Sequence, residues 1–331
     1  QLREPFVSNK GSTTTVRQLL VRLDWEGRTG LGTAVLAREY GITAETARAA
    51  IDVCANLLKG VSQVDIAGIL NRCEAAVPRQ PTVIAALDMA LHDLLGKVEG
   101  MPVHRLWGLL GSPTEPTAIS IGLMAERDRI ARAQQLAAWP ILKLKMTAAA
   151  DIGIVAQIRE VYAGRLWVDG NGSWDVRQAL AAADTFARYG VELLEQPIQA
   201  GRPDLLRFVR ERSAVPIVAD EDCRASEDGP LLEGSTDVIN IKLVKCGGLR
   251  RALEMIRMAR RAGIKIMLGC KTESALGITA MAQLAELADY LDLDGHLNLR
   301  DDPYAGVVVE CGRVMLPSGP GLGVVPRQIS V

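Results

Sequence analysis

No segment of this 331-residue chain is apolar over the length that a membrane span needs, and the opening residues QLREPFVSNK carry no signal-peptide pattern. They read instead as the middle of a strand-and-loop unit. An excess of one charge is also missing. The chain has 38 Lys and Arg against 39 Asp and Glu, for a net charge of −1, so it offers no basic footprint for nucleic acid. The expectation is therefore no membrane partner and no nucleic-acid partner. The six cysteines (Cys54, Cys73, Cys223, Cys246, Cys270, Cys311) are scattered and form no C-x-x-C pair, which argues against a zinc site. They read as small, mostly buried apolar residues in a reduced cytoplasm. The only histidines, His92, His104 and His296, are dispersed and read as structural. What is present is a globular composition, 48% hydrophobic and 23% charged, long enough for a large core and more than one domain.

The first third mixes element types. Residues 16–35, VRQLLVRLDWEGRTGLGTAV, read as two strands around a tight Glu26-Gly27 turn. Helical patterns follow over 43–60, 64–77 and 81–100, the last opening on Pro81 and closing on Gly100. This is an α+β unit. A Gly/Pro-rich joint, GLLGSPTEPT, follows at 108–117. Beyond it the chain turns periodic. Strand-like runs end near Leu123, Lys145, Asp169, Glu195, Asp220, Lys242, Gly269 and Asp294, with helical sequence such as 175–190 and 248–263 between them. Eight strands alternating with helices predict a (β/α) barrel. A doubly wound open sheet is the second reading, and it is weakened because no G-x-G-x-x-G turn follows an early strand.

One strand raises a question. Residues 139–148, WPILKLKMTA, carry Lys143 and Lys145 two positions apart in an apolar run. In a strand, residues i and i+2 point to one face, and buried lysine is costly unless paired or used. In a barrel, active sites sit at the C-terminal ends of the strands. There stand Lys143 and Lys145, then Asp169 and Asn171, Glu195, Asp220 and Glu221, Lys242 with Lys245 just beyond, and finally Asp292 and Asp294. Any one of these could be a cap or a surface ion pair. Three carboxylates from three successive strands form an oxygen-only donor set that suits a hard divalent ion, with Mg²⁺ the default.

The motifs KLK (143–145), DGN (169–171), EQP (195–197), ADE (219–221) and NIK…GG (240–248), in this order and on these strands, resemble the muconate-lactonizing subgroup of the enolase superfamily. The resemblance spans essentially the whole chain. It implies a (β/α)7β TIM-like barrel over 113–305, an N-terminal α+β capping domain over 1–112, and a segment, 306–331, that returns to the cap. It implies Asp169, Glu195 and Asp220 as ligands of one Mg²⁺. Lys145 and Lys242 match acid/base groups on opposite faces of the substrate, and Lys143 matches the group that touches its carboxylate. Asn171 and Glu221 match positions that would support these from behind, and Lys245, one step beyond Lys242, is a further candidate for such support. The mandelate-racemase branch would show a histidine on the seventh strand, and IKIMLGCKTES has none.

The chemistry so implied is proton abstraction next to a carboxylate, through an enediolate stabilised by preorganised charge. A lysine beside a metal and other ammonium groups is expected to have a lowered pKa and to act as a base near neutrality. Between two lysines the outcome is a 1,1-proton transfer. The alternating Asp292 and Asp294 resemble the D-x-D of dipeptide epimerases, where such a pair holds a free α-ammonium. The expected activity is therefore epimerisation of a dipeptide at the α-carbon of its second residue. The alternatives within the subgroup are N-acylamino-acid racemase, o-succinylbenzoate synthase and cycloisomerase. A non-catalytic binding barrel is a distant one. Lys10 and Arg38 in cap loops are candidates for reading the second side chain, though Lys10 also reads as plain solvated lysine. Cys270, Lys271 and Thr272 are candidate substrate-binding residues, with Lys271 beside the dipeptide's first side chain. Lys271 either favours an acidic residue there or pairs with Asp292 or Asp294. A homo-oligomer is expected, of undefined order.

Overall fold

The computed structural model describes residues 1–36, 40–61, 65–147 and 152–327. The N-terminal part opens with a short hairpin, β1 (Phe6–Ser8) and β2 (Gly11–Thr13), then a longer one, β3 (Gln18–Trp25) and β4 (Arg28–Val35). Glu26 and Gly27 both take positive φ, 47° and 74°, as a two-residue hairpin turn matching the twist of its strands requires. Helices α1 (Ala44–Leu58), α2 (Ile66–Ala76) and α3 (Pro81–Val98) follow. Thr43 caps α1 through the Thr46 N–H, and Pro81 starts α3, where a missing N–H costs nothing. The α3 helix is buried nearly all round because it lies between the β3–β4 hairpin and the barrel. Glycine at 30 and 32 permits this, since a Cβ at either position would strike the α3 backbone at Ala90 or Ala86.

The rest is a barrel. Its strands are β5 (Ile119–Ile121), β6 (Ile141–Lys145), β7 (Arg165–Asp169), β8 (Val191–Glu195), β9 (Ile217–Ala219), β10 (Val238–Ile241), β11 (Lys265–Gly269) and β12 (Tyr290–Asp292). Neighbours pair in sequence order and in parallel. The Ala118 N–H donates to Leu291 O at 2.9 Å and the Leu293 N–H to Thr117 Oγ1 at 2.7 Å, so first and last strands meet. This closure rules out the open sheet. Helices α4 (Glu126–Gln135), α5 (Ile154–Val161), α6 (Val176–Arg188), α7 (Pro203–Arg210), α8 (Gly229–Leu232), α9 (Leu243–Cys246), α10 (Leu249–Arg261) and α11 (Ala275–Ala282) fill the crossovers. No described helix is long and apolar enough to cross a membrane.

Strand alternation explains the paired lysines. Leu142 and Leu144 point outward into the helix-packed core, whereas Ile141 belongs to a separate plug with Trp167, Leu193, Val218, Val238, Met267 and Tyr290. Two residues further along each strand stand Lys143, Asp169, Glu195, Asp220, Asn240 and Asp292. One parity thus gives an apolar floor and, one layer higher, a charged mouth. The strands end where the sequence predicts, except that Leu123, Asp220, Lys242 and Asp294 lie one or two residues past the last residue of β5, β9, β10 and β12. Beyond the barrel, β13 (Tyr304–Ala305) pairs with β16 (Val325–Pro326), and β14 (Val308–Glu310) with β15 (Arg313–Met315). Gly321 exchanges backbone hydrogen bonds with Met101 and Val103, and the Leu322 N–H donates to Asp93 of α3.

Candidate active site

Register brings the charges together. Lys145, Asp169 and Glu195 are cross-strand partners on β6, β7 and β8. Lys143 Nζ lies 2.7 Å from Glu195 Oε2, 2.7 Å from Asp292 Oδ2 and 3.5 Å from Asp169 Oδ2, with the side chain only 1% exposed. Burial alone would lower its pKa, but Asp292, Glu195 and Asp169 hold it well above the ordinary value. Lys145 Nζ lies 2.5 Å from Asp169 Oδ2. Burial would raise the Asp169 carboxyl, but Lys145 and Lys143 overcome this and hold it low.

On the opposite side, Asp220 Oδ2 accepts from Lys242 Nζ at 2.7 Å and Oδ1 accepts from Lys245 Nζ at 2.6 Å. Both lysines hold this carboxyl well below its usual range against the effect of burial. Asn240 donates to Glu195 Oε1 at 2.9 Å, and Gln196 Oε1 accepts the Asp220 N–H at 3.0 Å. Sequence reading passed over Asn240 and Gln196. The signal for Asn240 was its parity, two residues before Lys242. For Gln196, whose φ of 35° is unusual, the EQP motif was the only hint.

A cavity of about 950 Å³ opens above this layer between barrel and cap. Lys145, Asp220, Lys242, Cys270, Lys271, Thr272, Asp292 and Asp294 line it from the barrel, and Lys10 from the first hairpin. Asp292 and Asp294 do face one space. Asp292 is held by Lys143, and Asp294 accepts the Ser120 N–H at 2.6 Å. Burial and the neighbouring Asp292 push the Asp294 carboxyl up to about 6. Neither aspartate forms an ion pair with Lys271 among the described residues. Of the two alternatives for Lys271, the pair with an aspartate is therefore not the one formed; Lys271 Nζ sits 5.3 Å from the Tyr40 ring centroid. Lys10 is not merely solvated, since Nζ pairs with Glu221 Oε1 at 3.1 Å. Asn171 Nδ2 reaches the same oxygen at 3.4 Å. Arg38 lies outside the described residues. His92 pairs with Asp88 and His104 with Gln283, the structural roles expected of them.

Two further features bear on a cation. Among the described residues no three acidic, histidine or cysteine side chains close around a single point, because ammonium groups share the space with the carboxylates. Yet Glu195 Oε2 is buried without a hydrogen-bond partner, the 2.7 Å approach of Lys143 being poorly angled. Burial, with Asp169 and Asp220 nearby, pushes the Glu195 carboxyl up to about 7 despite Lys143. Three buried carboxylates at one level, one with an orphaned oxygen, are a donor set that fits a hard divalent ion.

Comparison with known proteins agrees with this geometry. Residues 1–108 match the family described as mandelate racemase/muconate lactonizing enzyme, N-terminal domain, and residues 125–330 match enolase C-terminal domain-like. An L-Ala-D/L-amino acid epimerase of Maribacter sp. is 34% identical over 99% of this chain and 97% of its own length. An L-Ala-D/L-Glu epimerase of Bacteroides thetaiotaomicron is 33% identical over 98% of this chain and 85% of its own. The dipeptide epimerase of Enterococcus faecalis V583, solved with Mg and the dipeptide L-Leu-L-Tyr, superposes with a TM-score of 0.93 at 30% identity, covering 98% of this chain and 96% of that one. The chain therefore belongs to the mandelate racemase/muconate lactonizing enzyme family of the enolase superfamily.

Proposed function

We propose that this protein is a Mg²⁺-dependent dipeptide epimerase, an isomerase that inverts the α-carbon of the second residue by 1,1-proton transfer. The carrying observation is that Asp292 and Asp294 face the same cavity as Lys145, Lys242 and Asp220. A substrate with an ammonium at one end and a carboxylate at the other matches that charge layout. Relatives named as dipeptide epimerases, one solved with Mg and a dipeptide, support the reading.

Asp169, Glu195 and Asp220 are the residues that would hold Mg²⁺, and the ion would supply positive charge toward the substrate carboxylate. Asp292 and Asp294 bind the α-ammonium. Lys143, pinned between Asp292 and Glu195, offers a fixed positive charge where the substrate carboxylate gains negative charge. Lys145 and Lys242 come from β6 and the end of β10, across the barrel, so one removes the α-proton and the other returns it on the opposite face. The expected low lysine pKa is not what the carboxylates alone produce. Despite burial, Asp220 and Glu195 hold Lys242 above its ordinary value. Lys242 becomes a base only when the charge of Asp220 is taken up elsewhere. Lys10 from the cap and Asn171 both bond Glu221, the residue after Asp220, and the Asn171 N–H donates to Asp169 Oδ1 at 2.9 Å.

The division into a cap over 1–112, a barrel over 113–305 and a returning segment over 306–331 belongs to this reading. So does a cytoplasmic setting, with which six free cysteines accord. A homo-oligomer also remains part of the proposal.

The test is a library of L,L-dipeptides in D₂O with Mg²⁺, read by mass spectrometry. Deuterium entering at the second α-carbon is the expected result. Absence of exchange in every dipeptide, with metal bound, would overturn the proposal.

A further inference from the structure

We propose that Lys245 is a positioning residue. It fixes Asp220 so that Oδ2 is the one carboxylate oxygen offered to a divalent cation and to Lys242. The inference rests on the metal-dependent reading above and assigns the group that sets which lysine yields.

Two ammonium groups share the Asp220 carboxylate, and they are not equivalent. An ammonium has three N–H donors. Lys245 uses all three, on Asp220 Oδ1 at 2.6 Å, Asp220 O at 2.6 Å and Asn240 O at 2.9 Å. Lys242 makes one such bond, to Asp220 Oδ2 at 2.7 Å. The Asp220 N–H is held by Gln196 Oε1. Asp220 is thus gripped at its amide, its carbonyl and one carboxylate oxygen, leaving Oδ2 as the movable contact.

Energetics favour the same assignment. If Lys245 left, it would give up three bonds at once, leaving Asp220 O with the Cys223 N–H alone, and strand a charge whose side chain is 1% exposed. If Lys242 left, it would break one bond at the edge of the cavity it already lines. The backbone under Lys245 is also fixed. Lys242 to Cys246 forms a single helical turn that ends on Gly247 and Gly248, with φ of 93° and 116°. A Cβ at Gly248 would run into Asp88 of α3, and Asp88 Oδ2 accepts the Arg250 N–H at 3.0 Å. The cap helix therefore braces the turn that carries Lys245. A cation or substrate entering the mouth meets an Asp220 that cannot rotate, and Lys242 is the lysine that yields.

The test uses metal-stripped full-length chain and Mn²⁺ alone, with free Mn²⁺ read by electron paramagnetic resonance. Lys245→Gln and Lys245→Met are compared with wild type, each with a thermal melt. We expect cooperative melts and Mn²⁺ binding weakened by about 10–100-fold, the range for loss of a group that orients a metal ligand. With saturating Mg²⁺, kcat for a dipeptide should fall while its KM holds, since the ammonium and carboxylate anchors are untouched. Unchanged Mn²⁺ affinity in a folded variant would overturn the inference. So would failure of both variants to fold, because Lys245 would then be a structural residue of the barrel. A wild-type chain that binds no Mn²⁺ would overturn the metal reading itself, and this inference with it.

Discussion

Lys143 Nζ lies 2.7 Å from Asp292 Oδ2, joining two residues 149 positions apart across the closed barrel. The same ammonium reaches Glu195 and Asp169, so one buried charge links the carboxylates suited to a cation with the aspartate suited to a substrate ammonium. Neither set can be altered without the other feeling it. Asp292→Asn is expected to lower kcat/KM for free dipeptides by at least about 30-fold, the lower end for breaking a buried charge pair. Steady-state kinetics with a near-ultraviolet circular dichroism check on folding would measure it, and wild-type kinetics would remove the ammonium role.

The two lysines at the mouth should separate by hand of substrate. Lys145→Ala and Lys242→Ala are each expected to lose epimerisation by about 10²–10⁴-fold, the contribution of a positioned acid or base. Each variant should still exchange the α-proton of one epimer, the one whose hydrogen faces the remaining lysine. Proton NMR in D₂O, starting separately from the two epimers, reads this directly. Equal exchange of both epimers in either variant would contradict a two-base arrangement.

Metal removal should be visible in stability as well as in turnover. A cation that binds only the folded chain adds about 2.7 kcal/mol at a hundredfold excess over Kd. Addition of Mg²⁺ to chelator-treated protein is expected to raise Tm by several degrees, and Asp169→Asn or Glu195→Gln should cancel the shift. A Tm indifferent to Mg²⁺ would speak against these carboxylates as ligands.

Glu273 gives a pH dependence of known sign. Burial pushes its carboxyl from the ordinary value of 4.5 up to about 7, against the Lys271 N–H and the Lys271 and Lys242 charges. Between these values the folded chain keeps a proton that the unfolded chain has lost. The stability this contributes is complete below 4.5 and is lost as pH rises through 7, an effect of about 3 kcal/mol. Glu273→Gln cannot ionise, so it should gain on wild type between pH 5 and pH 8. Parallel melting temperatures of the two proteins at both pH values would refute the buried, protonated acid.

Lys271 lines the cavity beside Asp292 and Asp294, with its ammonium 5.3 Å from the Tyr40 ring centroid. It is expected to favour an acidic first residue in the dipeptide. Lys271→Met should then lower kcat/KM for acidic first residues more than for apolar ones, in a re-screen of the same library. An unchanged substrate profile would remove this role.

How much was legible beforehand follows from periodicity. Alternation along each strand decides which residues face the barrel interior, so KLK, DGN, EQP and NIK could be placed at the mouth without coordinates. The hairpin turn, the start of α3 and the eight strands were legible for similarly local reasons: backbone preference, capping and the period of apolar residues. The pairings were not. Lys143 with Asp292, Lys245 with the Asp220 carbonyl, Asn240 with Glu195 and Lys10 with Glu221 depend on which strands adjoin, how far their registers shift and where the cap rests. Lys271 shows the limit plainly, since composition allowed an aspartate partner and tertiary packing set Tyr40 beside it. By itself the sequence determined the inventory of charged groups and the face each one takes, because side-chain direction in a strand is a local property. Only the tertiary structure decided which cation neutralises which carboxylate, because that depends on distances of a few ångströms between segments far apart in the chain.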